Sequence, residues 1–250
     1  MRLKRSCWGR LGWDFKSTRF REPCGIAVVL KTRRNFCETL PGFHRPTFMK
    51  IEWLGRIRYE AGLRIQDARL QTCLSNASET VLLLEHEPVY TIGRLPDKSS
   101  LLTPGRLPYP VFETNRGGQA TYHGPGQLVG YPILDLRARG RDLHVYLRNL
   151  ENILIDLMAD FGIRASRVEG KTGVWVEDRK IASIGVGVRK WVTMHGFAVN
   201  VSSDLHGFQH IVPCGLTGVR MTSVSGELGE EIPLATVCDR ITPHLRRYLR

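Results

Sequence analysis

Long apolar runs are missing from this 250-residue chain. Those present, such as Val81-Leu-Leu-Leu84, are strand-sized and fall far short of the roughly 20 residues needed for a helical membrane span. No membrane partner is therefore expected. The six cysteines form no Cys-x-x-Cys pair, which argues against a zinc ribbon and a thioredoxin-type centre. A chain of this size buries enough surface to fold without disulfide staples, and a reducing cytoplasm is the expected compartment. There is no Gly-x4-Gly-Lys-Ser/Thr phosphate loop, no Gly-x-Ser-x-Gly elbow and no internal repeat. His206, His210 and Cys214 are four residues apart and would align on a helix, but Gly207 and Pro213 interrupt any such helix. No metal and no other cofactor is expected.

Acidic residues are scarce at one end only. The first fifty residues carry 12 Lys/Arg against 3 Asp/Glu, whereas the remaining 200 carry 24 against 21. The net charge of +12 thus belongs mostly to an N-terminal extension, so it argues against a folded basic face for nucleic acid. Residues 1–48 show no helical or strand period beyond Ile26-Ala-Val-Val-Leu30 and lack the organisation of a secretory signal. They are expected to be disordered or to result from a mis-called start. Met49 precedes the first well-patterned segment, and residues 49–250 are expected to form the catalytic domain. Mass spectrometry of the endogenous N-terminus tests this; a mature protein beginning near Met1 would rule it out.

The pattern after Met49 mixes helices and strands without regular alternation. Strands are expected at 51–54, 81–85, 111–114 and 128–136, the last irregular at Pro132. The segment 86–93 reads as an exit from a strand through Pro88, and 94–110, with four prolines, as an exposed loop. A helix over 59–74 has an imperfect apolar period at Ala61, Ile65, Ala68 and Leu70. The clearest helix runs from Asp142 to Phe161, with Leu143, Tyr146, Leu147, Leu150, Ile153, Leu154, Leu157, Met158 and Phe161 on one face and Gly162 as its stop. The period then changes to 2 over 173–177, 180–189 and 191–201, three antiparallel strands. A last helix covers 234–249, with Pro243 a kink or break. The fold class expected is α+β with a mostly antiparallel sheet.

One stretch stands apart. Residues 116–131 hold five glycines, a proline, two glutamines, a histidine and an arginine in sixteen positions. Glycines permit positive φ and close approach, and the interleaved polar side chains point to a surface shaped around a ligand.

Among possible nucleophiles, Cys214 lies between a proline and a glycine in Ile211-Val-Pro-Cys-Gly-Leu216, a setting that can present a thiol outward. Cys73 and Cys238 fall within helical patterns and read as small apolar residues. A cysteine nucleophile must be a thiolate, so a neighbouring cation or base must lower its pKa from about 8.5. Candidates are His123, His195 and Lys180.

Four segments together resemble the lipoyl(octanoyl) transferase family: Arg116-Gly-Gly-Gln-Ala-Thr-Tyr-His-Gly-Pro-Gly-Gln127, Lys180-Ile-Ala-Ser-Ile-Gly185, His195-Gly-Phe-Ala-Val-Asn200 and Pro213-Cys-Gly215. The resemblance covers about residues 51–245. It implies the fold of the biotin/lipoate–protein ligase catalytic domain. It also implies transfer of an octanoyl group from octanoyl-acyl carrier protein to a lysine on lipoyl domains of 2-oxoacid dehydrogenases and the glycine cleavage H protein. No cofactor is implied, and a monomer is expected. The family pattern makes Cys214 the acyl-thioester nucleophile and Lys180 the residue that lowers its pKa. Lys180 in neutral form would then accept a proton from the incoming amine, which requires a pKa depressed by burial. Arg116, Gly117, Gly118, Gln119, Ala120, Thr121, Tyr122, His123, Ser183, Ile184, Gly185, Gly196, Phe197 and Ala198 are expected to line the acyl-substrate pocket. Backbone N–H groups of the glycine-rich segments are natural oxyanion donors. Ile184, Val199 and Leu128 are candidates either for an acyl channel or for the core. An ATP-dependent lipoate ligase and a non-catalytic carrier-binding module are the competing readings; Gln119 and Gly124-Pro-Gly126 weigh against the first, Cys214 and Lys180 against the second.

Overall fold

The computed structural model describes residues 49–76, 78–95, 100–102, 106–215 and 218–250, Cys214 by its backbone. The expectations for residues 1–48 lie outside the described residues. In chain order the elements are β1 (Lys50–Ile57), α1 (Tyr59–Asn76), β2 (Thr80–His86), β3 (Val89–Ile92), β4 (Val111–Glu113), β5 (Ala120–His123), β6 (Gln127–Ile133), α2 (Leu143–Asp160), β7 (Ser166–Val168), β8 (Lys171–Val176), β9 (Arg179–Arg189), β10 (Val192–Asn200), β11 (Arg220–Met221), α3 (Val224–Leu228) and α4 (Leu234–Tyr248).

Two sheets result. The larger runs β1-β2-β6-β10-β9-β8-β7, with β11 added alongside β9; the smaller runs β4-β3-β5. Among the described residues parallel pairing is confined to β1–β2, β3–β4 and β9–β11, and every other strand pair is antiparallel. The mostly antiparallel α+β expectation is borne out.

Side-chain alternation along the central strands sorts two hydrophobic layers. Val81, Leu83, Leu128 and Val199 pack with α2 and α4, around Leu150, Leu154, Leu157, Ile241 and Leu245. Leu82, Leu84, Val129, Tyr131 and Ala198 turn to the other face, against Leu70 and Cys73 of α1. Burial pushes the thiols of Cys73 and Cys238 up to about 11, consistent with their reading as apolar fillers. Leu128 and Val199, candidate channel walls by sequence, belong to the closed core.

Helix α2 begins where Asp142 accepts hydrogen bonds from the His144 and Val145 backbones and stops at Gly162, φ +74°. Its first apolar residue, Leu143, is exposed rather than core. Helix α4 continues through Pro243 instead of breaking there. Helix α1 explains its weak sequence signal: its buried face is Tyr59, Gly62, Gln66, Leu70 and Cys73, so a glycine and a glutamine stand where large apolar residues were sought. Pro132 sits within β6, between β2 and β10, and its carbonyl accepts from the Thr193 hydroxyl at 2.7 Å. Strands β3 and β7 were not foreseen; the first follows directly on Pro88 and the second has only three residues. No described helix is long and apolar enough to cross a membrane.

Candidate active site

A cavity of about 50 Å³ opens on the α1 side of the large sheet. Three expected segments meet in it: Arg116, Gly117, Gly118, Thr121 and His123 from the glycine-rich stretch, Ser183, Ile184 and Gly185 from β9, and Gly196, Phe197 and Ala198 from β10. Tyr59, Val129, Tyr131 and His195 complete the wall. Of these, His195 was a named candidate in the sequence, Val129 and Tyr131 lie in the glycine-rich stretch without an assigned role, and Tyr59 stood only at the start of the expected helix 59–74.

Three expected lining residues are elsewhere. Residues 120–123 of the glycine-rich stretch form β5, and alternation along it turns Ala120 and Tyr122 away from the cavity. They pack with Tyr90, Phe208 and Ile211 in a separate cluster. Gln119 instead lies against the turn that carries Cys214: a Cβ on Gly215 would stand 1.8 Å from its Oε1. Gly215 has φ +69°, so this close approach and the backbone conformation both require glycine.

Arg116 is a clamp. Its Nη2 donates to the Thr91 carbonyl (2.6 Å), the Thr91 hydroxyl (2.9 Å) and the Gln119 carbonyl (2.7 Å), and Nη1 donates to the Gly117 carbonyl at 2.9 Å. The guanidinium thereby shapes the turn Arg116–Gln119 and ties it to β3. Gly117 N–H donates to the Val186 carbonyl at 2.8 Å, which removes it from the possible oxyanion donors.

Two buried histidines, His123 and His195, line the cavity and a third, His86, is bonded to the lining residue Tyr131; their tautomers follow from their partners. Gln127 Nε2 donates to the Tyr122 carbonyl (3.2 Å) and Asn200 Oδ1 (2.9 Å), which leaves its Oε1 to accept from His123 Nδ1 at 2.7 Å. His123 therefore carries its proton on Nδ1 and its lone pair on Nε2. Asn200 Nδ2 donates to the Thr222 carbonyl (2.9 Å), and Thr222 N–H donates to the carbonyl of Lys180 (3.0 Å). The chain links the cavity wall to the strand of Lys180. His86 Nδ1 donates to the Ile57 carbonyl (3.1 Å), so its Nε2 accepts from the Tyr131 hydroxyl at 2.7 Å. His195 Nε2 meets Asn115 Oδ1 at 2.6 Å, and its backbone N–H donates to Gln66 Oε1. Strict alternation would place His195 with Phe197 and Val199. Its φ of +56° turns the ring instead toward Tyr131, 6.1 Å away edge-on.

Burial holds all three rings neutral. It lowers His86 to about 4 and is the largest cause for His123, at about 3, and His195, at about 4; the Arg116 charge adds to it in the latter two. Burial also raises the Tyr59 phenol to about 12 and Tyr131 well above its ordinary range. An unfolded histidine titrates near 6.5, so below that pH the unfolded chain takes up protons that the folded one refuses. Each ring then costs stability at about 1.4 kcal/mol per pH unit until its folded pKa is reached. The thermal midpoint is expected to vary little through these groups above pH 7 and to fall steeply from pH 6.5 toward 4. A midpoint flat across that window would refute neutral burial.

Lys180 is 1 % exposed, with Nζ 5.3 Å from the Trp175 ring centroid. Cys214 lies in a short 3-10 turn, Pro213–Gly215. The chain then comes back as β11, where Met221 pairs with Lys180. Chain connectivity thus places the cysteine turn only a few residues before the strand that pairs with β9 at Lys180. Among the described residues no His/Cys/Asp/Glu group is arranged to hold a metal.

Known proteins share both the sequence and the fold. The family model for the lipoyl protein ligase A/B catalytic domain matches residues 58–246. The octanoyltransferase of Geobacter metallireducens is 53% identical over 190 residues, covering 76% of this chain and 88% of that protein. The octanoyltransferase of Solibacter usitatus is 50% identical over 205 residues, covering 79% and 91%. A solved lipoate-protein ligase A bound with ATP superposes with a TM-score of 0.64 at 16% identity, over 80% of this chain and 85% of the other. A structure of the bi-partite lipoate protein ligase system of Thermoplasma acidophilum gives 0.59 at 16% identity, over 80% and 83%. These two structural likenesses carry the fold.

Proposed function

This chain belongs to the octanoyltransferase family, and we propose that it moves an octanoyl group from octanoyl-acyl carrier protein to a lysine of lipoyl domains through an acyl-thioester on Cys214. The observation that carries this reading is a cavity walled by Arg116, Gly117, Gly118, Thr121 and His123 together with 183–185 and 196–198, in a chain about half identical to octanoyltransferases.

The proposed cycle balances with two groups. The Cys214 thiolate attacks the donor thioester carbonyl, forming one C–S bond as the bond to the carrier's thiol breaks. Lys180, as an ammonium, gives its proton to the departing thiolate and becomes an amine. The acceptor lysine amine then attacks the Cys214 thioester, forming the amide. Lys180 takes the proton lost by that nitrogen, and the thiolate–ammonium pair is restored. Transthiolation exchanges one thioester for another, so the first step needs little driving force beyond an available thiolate.

The cavity suits an acyl chain. Its histidines are neutral, Tyr59, Val129 and Phe197 present apolar surface, and the Arg116 guanidinium is engaged with the chain's own carbonyls. That engagement weighs against recognition of a free carboxylate, which a ligase acting on the free acid would need. His123, with its lone pair on Nε2, is proposed to orient the substrate and not to serve as general base. The acceptors proposed are the lipoyl domains of 2-oxoacid dehydrogenases and the glycine cleavage H protein. The working form proposed is a cytoplasmic monomer whose catalytic domain spans 49–250.

The test is incubation with octanoyl-acyl carrier protein and no ATP, followed by intact mass measurement. One octanoyl adduct per chain is expected, discharged on addition of a lipoyl domain. Acylation that strictly requires ATP would replace the transferase with a ligase.

A further inference from the structure

The activation proposed for Cys214 needs an ammonium held at one place, and lysine is poorly built for that: four methylenes give its head many positions. We propose that Gly173 is the positioning residue for Lys180, its missing side chain forming the slot in which the ammonium end is seated. This rests on the role proposed above for Lys180.

The slot arises from the pairing of β8 with β9. Val174 pairs with Ala182 but Trp175 pairs with Lys180, so the register shifts by one residue between them and Ile181 is the extra residue. Gly173 stands beside this bulge with φ +124°, a conformation that strains any residue bearing a side chain. A Cβ there would lie 2.7 Å from Lys180 Cε, 3.2 Å from Nζ and 2.6 Å from the Ala182 carbonyl oxygen. The terminal carbon and nitrogen of Lys180 therefore occupy the volume a side chain at 173 would fill. The Trp175 ring bounds the same space, its centroid 5.3 Å from Nζ. Gly173, Trp175 and Lys180 are all buried, so the seat is closed to bulk water. Packing that locks the head of a flexible side chain is what a preorganised charge requires.

A glycine is also needed here for its backbone conformation alone, and the experiment separates the two roles. The pH dependence of Cys214 alkylation by iodoacetamide is followed by peptide mass in wild type, Gly173→Ala, Lys180→Ala and the double variant, together with steady-state turnover. If Gly173 seats the lysine, Gly173→Ala moves the alkylation profile to higher pH, as Lys180→Ala does. It also lowers kcat roughly 10- to 100-fold with little change in KM for the octanoyl donor. Added to Lys180→Ala it has almost no further effect. A folded Gly173→Ala with an unchanged alkylation profile, or with effects that multiply in the double variant, overturns the proposal. Should Gly173→Ala fail to fold, recovery of folding in the double variant supports a collision with Lys180. Continued failure assigns the damage to the Ala182 carbonyl and overturns the proposal. A Lys180→Ala profile identical to wild type would remove the lysine's role itself, a result distinct from loss of the Gly173 effect alone.

Discussion

Cys214→Ser is expected to keep its own mass after incubation with octanoyl-acyl carrier protein and to transfer octanoyl groups at least about 1000-fold more slowly than the parent chain. A thiol ionises near 8.5 and is easily brought into its nucleophilic form by a neighbouring cation. A serine hydroxyl has no such access to its anion without a paired base. The buried histidines are too weakly basic for that task, since burial holds His86 and His195 at about 4 and His123 at about 3. The ring nitrogens of His86 bond Ile57 and Tyr131, His195 bonds Asn115, and His123 is oriented by Gln127. Quenched-flow sampling with mass detection measures the loss. Transfer by Cys214→Ser within tenfold of wild type would mean that the octanoyl group passes directly between substrates, and the thioester would have to be abandoned.

Lys180→Ala should leave the octanoyl donor bound but slow acylation by roughly 100- to 10,000-fold, the range expected when a positioned proton donor and acceptor is lost. The side chain is buried beside Trp175 and fills space next to Gly173, so its removal also leaves a small void. Lys180→Met keeps most of that volume without the charge. It should match Lys180→Ala in rate while retaining more of the parent's thermal midpoint. Single-turnover acylation separates the two effects, and a Met variant with wild-type rates would remove Lys180 from the chemistry.

Much of this architecture was legible before any coordinates. Helix α2 announced itself through a long apolar face between Asp142 and Gly162, and the change to period 2 after it marked β8, β9 and β10. The segments that wall the cavity could be assembled from their resemblance to a family, although they are separated in sequence. What escaped has physical reasons. Tyr59 and Gln66 lie on the buried face of α1, but that face carries a glycine and a glutamine, so its period looked broken. Gln119, Ala120 and Tyr122 were grouped with their neighbours because a motif is read as a block, whereas β5 sends alternate residues to opposite sides. Ring direction at His195 depends on a positive φ that no composition rule supplies.

The two faces of the large sheet divide labour in a way that bears on how this enzyme can change. Leu83, Leu128 and Val199 bind the strands to α2 and α4, whereas Val129, Tyr131 and Ala198 turn toward α1 and the cavity side. Adjacent codons thus answer to different demands. A library confined to positions 129, 131 and 198 should recut the chamber for longer or shorter chains while the helical layer continues to hold the strands. Shifting such a library to positions 128 and 199, in the helical layer, should instead yield mostly unfolded protein.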